Sequence, residues 1–487
     1  MPANRFLLAL LCCAVFFCAG RAQQIPTQWL REDLVFLEKA LFNAHPGALR
    51  YNHPDSLSRF FGRLRAQLTA DSVSVRQAHF MIRLAVARVR DGHTSVLTPA
   101  FPSPEARFLP LEIYAPPGST AAVNRYYGAD TALRRGDRIL AIDGIPAAQG
   151  LALARILVPS DGFSPTFGEA AAASSFARYW KLLFGHTDTL LLSVQSPSDT
   201  APRTVRVAAM RAKDLEKARA EAARAYLAGI KTPPILYQNR AQVFYRDTLR
   251  PDLGVIRMTG FPAKGYRRFY RRCFRHAART NMRALAIDLR FNTGGNVANM
   301  NRLLAHTLDR PVSCRYERSR RARYRGLFRK RAALTCALIA LRYDYAPLGF
   351  RRYREGDLKV RERRIRPLRR NRFRGDLYVL TNGYSFSAAS MTAAYLKYAG
   401  GAQVIGVETG GGAAGNCGGG YPRLRLPYSG IEIRFPLLWL NYGLPNAPLG
   451  RGVQPDHPTP YTLDDLLARR DLEMARLYDL LQAEKRL

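Results

Sequence analysis

Leu30, Leu34, Leu37 and Leu41 recur every three or four residues, and the run stops at His45-Pro46-Gly47. That period puts the leucines on one face of a helix, and the Pro/Gly pair ends it. A second helical run, Phe80 to Val89, leads into the polar turn Asp91-Gly92-His93-Thr94, so residues 23–100 read as a small helical unit. From 101 to 212 the pattern changes to short β-rich runs such as Leu109 to Tyr114 and Thr189 to Gln195, broken by Pro, Gly and Asp. Within it, LRRGDRILAIDGIP (Leu133 to Pro146) brackets an apolar strand, Ile139 to Ile142, between turns at Arg135-Gly136-Asp137 and Asp143-Gly144. Residues 213–249 form a linker that opens with a charged, Ala-rich helix from Lys213 to Leu227.

Beyond 250 the apolar runs Leu253 to Met258, Ala284 to Leu289, Leu377 to Thr381 and Val404 to Val407 alternate with helical patterns, among them Ser387 to Tyr398. Buried strands alternating with helices predict an α/β core over 250–463. Leu463 to Leu481 reads as a closing helix within a C-terminal segment, 464–487.

A chain of 487 residues with 47% hydrophobic and 10% aromatic residues exceeds one ordinary domain and is not a disordered polymer. Its net charge of +38 favours anionic surroundings. Of that, +17 lies between Arg315 and Arg374, an Arg-rich insertion in the core that interleaves basic residues with Tyr316, Tyr324, Phe328, Tyr343, Tyr345, Phe350, Tyr353 and Phe373. The bland reading is a solvated, partly helical insertion; the functional one is a surface for a polyanion. The N-terminus bears on which polyanion. Arg5 precedes an apolar run from Phe6 to Ala19 and small residues at Gly20 and Ala22, the pattern of a secretory signal peptide over residues 1–22. Export to the periplasm, cell envelope or extracellular space makes an anionic envelope surface a candidate partner and nucleic acid an unexpected one. Four cysteines remain after the signal, Cys273, Cys314, Cys336 and Cys417, without a CxxC pair, so no metal site and no dense disulfide framework is indicated.

Three Gly/Ser-rich turns follow strands of the predicted core, the usual place for sites in such sheets. In DLRFNTGGN (Asp288 to Asn296), the adjacent Gly294 and Gly295 allow an amide N–H to face an incoming oxygen. In TNGYSFSAAS (Thr381 to Ser390), Ser385, Ser387 and Ser390 each suit a nucleophile or a helix cap. The third, GVETGGG (Gly406 to Gly412), lacks a lysine at phosphate-loop spacing.

The segment LRRGDRILAIDGIP resembles the most recognisable part of PDZ domains, which bind extended peptides at a sheet edge. The ordered set DGHT, LRRGDRILAIDGIP, IDLRFNTGG, TNGYSFSAAS, VIGVETGGG and GRGVQPD (Gly450 to Asp456) resembles the tail-specific, or C-terminal-processing, serine peptidases, in the branch that includes the tricorn core protease. The resemblance implies a crotonase- or ClpP-like α/β protease core with an inserted PDZ-like domain. It also implies an exported serine peptidase that hydrolyses peptide bonds in unfolded or C-terminal protein segments, without metal or organic cofactor. Carried over by position, it makes Ser387 the nucleophile, His93 the base, and the backbone N–H groups of Ala388 and of Gly294 or Gly295 the oxyanion donors. The branch that uses a downstream lysine is excluded, because no lysine lies between Lys397 and Lys485. Lys397 itself sits three helical turns, roughly 15 Å, from Ser387. The tricorn-like branch has a serine where this chain has Gly92, and a glutamate where it has Leu449-Gly450-Arg451. The acidic partner is therefore open, with Glu408 and Asp456 as candidates. Two alternatives stand beside this reading: a catalytically degenerate, PDZ-type peptide-binding scaffold, and an anion-binding envelope protein.

Overall fold

The computed structural model describes residues 24–483 apart from 117, 119, 186–187, 229–232, 320–326 and 328–349. The signal-peptide reading of 1–22, Cys336 and the middle of the Arg-rich insertion lie outside the described residues.

The core is a seven-stranded sheet in the order Ile235–Asn239, Gln242–Arg246, Leu253–Met258, Ala284–Asp288, Asp376–Thr381, Gln403–Gly406, His457–Pro458. The last five strands are parallel. Alternate side chains go to opposite faces. Leu253, Val255, Ala284, Ala286, Tyr378, Leu380 and Ile405 pack on Met474, Leu477 and Leu481 of the helix Leu472–Ala483. Ile256, Met258, Leu285, Ile287, Val379 and Val404 face the main core, shared with the helices Tyr266–Arg279, Val297–Thr307 and Ala388–Tyr398. Burial on both faces is why these strands are continuous apolar runs rather than alternating ones.

The helix expected over Leu463 to Leu481 is two. Thr462 and Asp465 form a capping box that starts Leu463–Leu467. Arg469, at φ 54°, breaks the chain. Asp471 then reaches Arg290 at 2.6 Å at the start of the second piece.

The described part of the Arg-rich insertion is not helical. Val312–Ser319 and Leu358–Ile365 pair antiparallel over their full length, flanked by Phe350–Glu355 on one side and by Leu438–Asn441 and Gly415–Gly418 on the other. Its strands are therefore continuous with the chain that carries the glycine-rich turn.

Between the N-terminal helices and the core in sequence comes an antiparallel sheet in the order Arg203–Ala208, Thr189–Gln195, Arg138–Ile142, Ala122–Tyr126, Leu111–Tyr114. The turn at Asp143 and Gly144, with φ of 50° and 78°, joins Arg138–Ile142 to Ile145–Pro146. Three helices, Ala147–Leu157, Thr166–Ser174 and Phe176–Phe184, also belong to this unit. The β-rich reading passed over them; two, Ala147–Leu157 and Thr166–Ser174, are alanine-rich with little contrast between faces, whereas Phe176–Phe184 buries Phe176, Trp180, Leu182 and Leu183 on a clear apolar face. Among the described residues, no helix is long and apolar enough to cross a membrane.

Candidate active site

The three turns singled out in the sequence all leave the carboxyl ends of neighbouring parallel strands, so the topology gathers them at one edge of the sheet. Ser387 begins the helix Ala388–Tyr398 at φ 57° and ψ −120°, backbone angles that cost a non-glycine residue about 1–3 kcal/mol. Its hydroxyl makes no capping bond. Instead, Oγ lies 3.0 Å from Nε2 of His93, which is 294 residues distant in sequence.

The competing serines have other tasks. Fully buried Ser385 accepts the N–H of Asn382 at 3.0 Å and donates to the carbonyl of Leu289 at 2.9 Å, fastening one turn to the next. Ser390 donates to the carbonyl of Ser387 at 2.8 Å.

His93 is 4% exposed, held between the ring of Phe386 at 4.9 Å and that of Tyr421, stacked at 5.8 Å. Its Nδ1 is buried without a hydrogen-bond partner among the described residues, and Oδ1 of Asp91 stands 3.8 Å away. Asp91 is itself fixed. Its Oδ1 accepts the backbone N–H of His93 at 3.3 Å, and its Oδ2 accepts the hydroxyl of Thr94. Thr94 Oγ1 lies 2.7 Å from Nε2 of His45, whose Nδ1 accepts the N–H of Gly47 at 3.0 Å. Burial alone would raise the Asp91 carboxyl; the adjacent rings of His45, at 3.3 Å, and His93, at 3.8 Å, outweigh it and hold it well below the usual carboxylate range.

A second carboxylate, Asp161, comes from the loop after Ala147–Leu157. Its Oδ1 accepts the N–H of Gly92 at 2.8 Å and its Oδ2 that of Gly412 at 3.2 Å. Burial and the charge of Asp91 push it up to about 6, against the opposing pull of His93 and the two amides.

Glu408 and Asp456, the acids proposed from sequence, are engaged elsewhere. Glu408 takes Arg451 at 3.0 and 2.6 Å and the N–H of Gly452 at 2.7 Å. Asp456 holds Lys397 Nζ and the N–H of Val404, at 2.7 and 2.8 Å. The carboxylates brought to the histidine are Asp91 and Asp161. Asp91 was legible as a member of the DGHT turn; Asp161, in a Ser-Asp-Gly turn of the insert, gave no signal.

Among the oxyanion candidates, Gly294 already donates its N–H to Oδ1 of Asn292 at 2.9 Å. The amides of Gly295 and Ala388 have no acceptor among the described residues. Gly294 serves by its size: a Cβ there would sit 2.7 Å from the Cβ of Ser387 and 3.0 Å from the nitrogen of Ala388. Gly92 likewise, because a Cβ would lie 2.5 Å from the ring of Phe386. That close approach accounts for glycine at the position where the tricorn-like branch has serine.

Donor atoms of His45, Asp91 and Cys417, and of Asp91, His93 and Asp161, lie within 4.8 Å of one another. Hydrogen bonds use most of them: both nitrogens of His45 are engaged, and both oxygens of Asp161 take amides. The clusters therefore do the work of fixing loops.

Residues 252–418 match the model of peptidase family S41. The fold is similar to that of mature CPAF, with a TM-score of 0.60 at 17% identity over 90% of this chain and 94% of that one. It is also similar to mature CPAF complexed with lactacystin, with a TM-score of 0.62 at 17% identity over 90% and 95%. The tricorn protease aligns with 94% of this chain and 37% of its own at 17% identity and a TM-score of 0.39. No curated protein matches the sequence.

Proposed function

Residues 252–418 carry a peptidase family S41 domain, a serine-type peptidase domain, and from that premise we infer that the chain is an exported peptidase acting on unfolded or C-terminal protein segments through Ser387 and His93. The observation that carries the reading is the 3.0 Å approach of Nε2 to the uncapped, strained Ser387 hydroxyl.

As Oγ bonds to the scissile carbonyl carbon, its proton passes to Nε2. The carbonyl oxygen, now negative, takes the amides of Gly295 and Ala388, and the helix beginning at Ala388 adds the positive end of its dipole. The proton then goes to the amide nitrogen as the C–N bond breaks, leaving an acyl-serine. Water then adds to the acyl carbon as its proton passes to Nε2, and that proton goes to Oγ as the ester C–O bond breaks, releasing the acid and restoring Ser387. For Nε2 to act as base, the neutral ring carries its proton on Nδ1, which faces Asp91 at 3.8 Å, an ionised partner for the imidazolium formed in each step. No step calls for a metal or organic cofactor.

The antiparallel sheet of residues 111–208 is the PDZ-like element of the reading and supplies an edge for an extended substrate. Residues 1–22 direct export, and exposed Arg351, Arg352 and Arg354 offer contact with an anionic envelope. Fluorophosphonate labelling tests the core of the proposal. Wild type reacts, and neither Ser387→Ala nor His93→Ala does; labelling of both variants at the wild-type rate would refute it.

A further inference from the structure

The segment that follows Ala147–Leu157 leaves the inserted unit and threads through the catalytic loops. Asp161, 3% exposed, accepts the amides of Gly92 and Gly412 on its two oxygens, joining the residue before the base to the glycine-rich turn beside the nucleophile. Gly162 donates to the carbonyl of Arg90 at 2.9 Å, and Phe163 to that of Gly450 at 2.7 Å. At Gly162, φ is 64° and a Cβ would meet the Gly450 backbone at 2.4 Å, so the chain runs there with no room for another residue type. Further on, Phe167 stacks on Phe386 at 4.7 Å, and Phe386 in turn contacts His93. Gly412 follows Gly411, where a Cβ would lie 2.9 Å from the nitrogen of Ser387.

We propose that Asp161 is a positioning residue: its carboxylate, supplied by the insert, holds the base loop and the glycine loop in register with Ser387, and its protonation releases them. This rests on the Ser387/His93 reading. The geometry requires the ionised form, since a carboxylate offers an acceptor to each amide, whereas a protonated carboxyl turns one oxygen into a hydroxyl donor. Its neighbours make it sensitive to acid. His93 and Asp91 face it, Tyr51, Tyr421 and Tyr442 surround it with neutral phenols, and Cys417 is a neutral thiol. Burial among these groups brings its titration to about 6, within the range in which an ordinary histidine takes its own proton.

The experiment measures the fluorophosphonate labelling rate of the full chain from pH 4 to 8. In wild type, the rate falls below pH 6 with the uptake of two protons, one by the imidazole and one by Asp161. Asp161→Asn keeps the shape but loses one acceptor. It labels about 10- to 100-fold more slowly at pH 8, the cost of a displaced base, and its acid limb falls with one proton. Asp161→Glu retains the charge on a longer arm, so it labels slowly but keeps the two-proton limb. A rate for Asp161→Asn within about twofold of wild type overturns the proposal. So does a slow Asp161→Asn with an unchanged two-proton limb, which marks a purely structural role. If neither variant folds, a one-proton limb in wild type overturns it by itself. Labelling of Ser387→Ala would instead sink the underlying site and leave these slopes without a bearing on it.

Discussion

The Cα of Gly92 lies so close to the ring of Phe386 that a Cβ would sit 2.5 Å from it, while Phe386 also packs on the imidazole of His93. His93, Gly92 and Phe386, the residue before Ser387, are thus one packed unit. Gly92→Ser drives the ring or the base loop aside. Labelling of Ser387 falls about 100-fold, the scale of a misplaced catalytic group. Phe386→Leu added to Gly92→Ser vacates space and recovers part of the rate. The paired rates measure this, and a Gly92→Ser variant as fast as wild type would show that the contact does not constrain the base.

At Ser387, the proposed nucleophile, hydrolysis and stability are expected to separate. Ser387→Ala abolishes cleavage of an unfolded protein with little change in melting temperature, because the hydroxyl makes no cap. Ser387→Gly is equally inactive, but it relieves the positive φ and is more stable than Ser387→Ala by about 1 kcal/mol. Ser385→Ala behaves oppositely. It leaves a buried amide and carbonyl without their shared partner and costs about 1–3 kcal/mol while the hydroxyl facing His93 remains. Thermal unfolding of the three variants beside their turnover distinguishes these roles.

Lys397 is the nearest lysine to the nucleophile along the chain, and its ammonium is tied to Asp456 and to the carbonyl of Gln454, each at 2.7 Å. Lys397→Met therefore keeps turnover within about an order of magnitude, whereas His93→Ala loses several. The pH profile of wild type falls on the acid side, as an imidazole base requires. A rate that instead rises only at alkaline pH, with His93→Ala active, would show an amine at work.

Away from the chemistry, Asp288 closes the strand before the paired glycines. Burial would raise its carboxyl, but Arg290, at 2.9 Å, and Arg257, at 3.1 Å, hold it below the usual range. A carboxyl depressed in the folded state contributes stability that is present above its unfolded value, about 3.9, and is lost as pH falls through the folded one. The stability difference between wild type and Asp288→Asn is therefore constant from neutral pH to about pH 5 and shrinks below pH 4. Denaturant unfolding at stepped pH reads this. A difference that shrinks toward neutral pH would contradict the ion-pair assignment.

What the sequence made legible follows from how local each signal is. The core strands were readable because burial on both faces leaves runs such as Ala284–Asp288 almost wholly apolar, and Ser387 and His93 because each sits in a turn motif with its own composition. Asp161 was not, because what matters is its reach to Gly92 and Gly412, 69 and 251 residues away. The choice between Gly294 and Gly295 was also closed to sequence, since it depends on where Asn292 points its side chain. The Arg-rich strands misled through composition: Leu358–Ile365 carries Lys359, Arg361, Arg363 and Arg364, yet it buries Val360, Arg361 and Ile365 and pairs on both edges.

The insert's position bears on its removal. A separate capture module could be cut away with loss of protein cleavage alone, and the PDZ-like resemblance implies such a module. Yet Asp161, Gly162 and Phe163 bond to the loops of His93, Gly412 and Gly450, and the hydroxyl of Tyr384 donates to the carbonyl of Ala170 at 2.8 Å. Deleting 101–212 withdraws all of these contacts at once from the turns around Ser387 and His93. The deletion variant is therefore expected to lose hydrolysis of a short activated ester as well as of a long protein, even where circular dichroism shows the α/β core folded. Capture is better isolated by leaving 158–174 in place and adding a competing extended peptide to the intact enzyme. That peptide raises KM for the long substrate and leaves turnover of the short ester unchanged, because only the former uses a sheet edge remote from the reacting bond. Full ester hydrolysis by the deletion variant would show that the insert does not support the site.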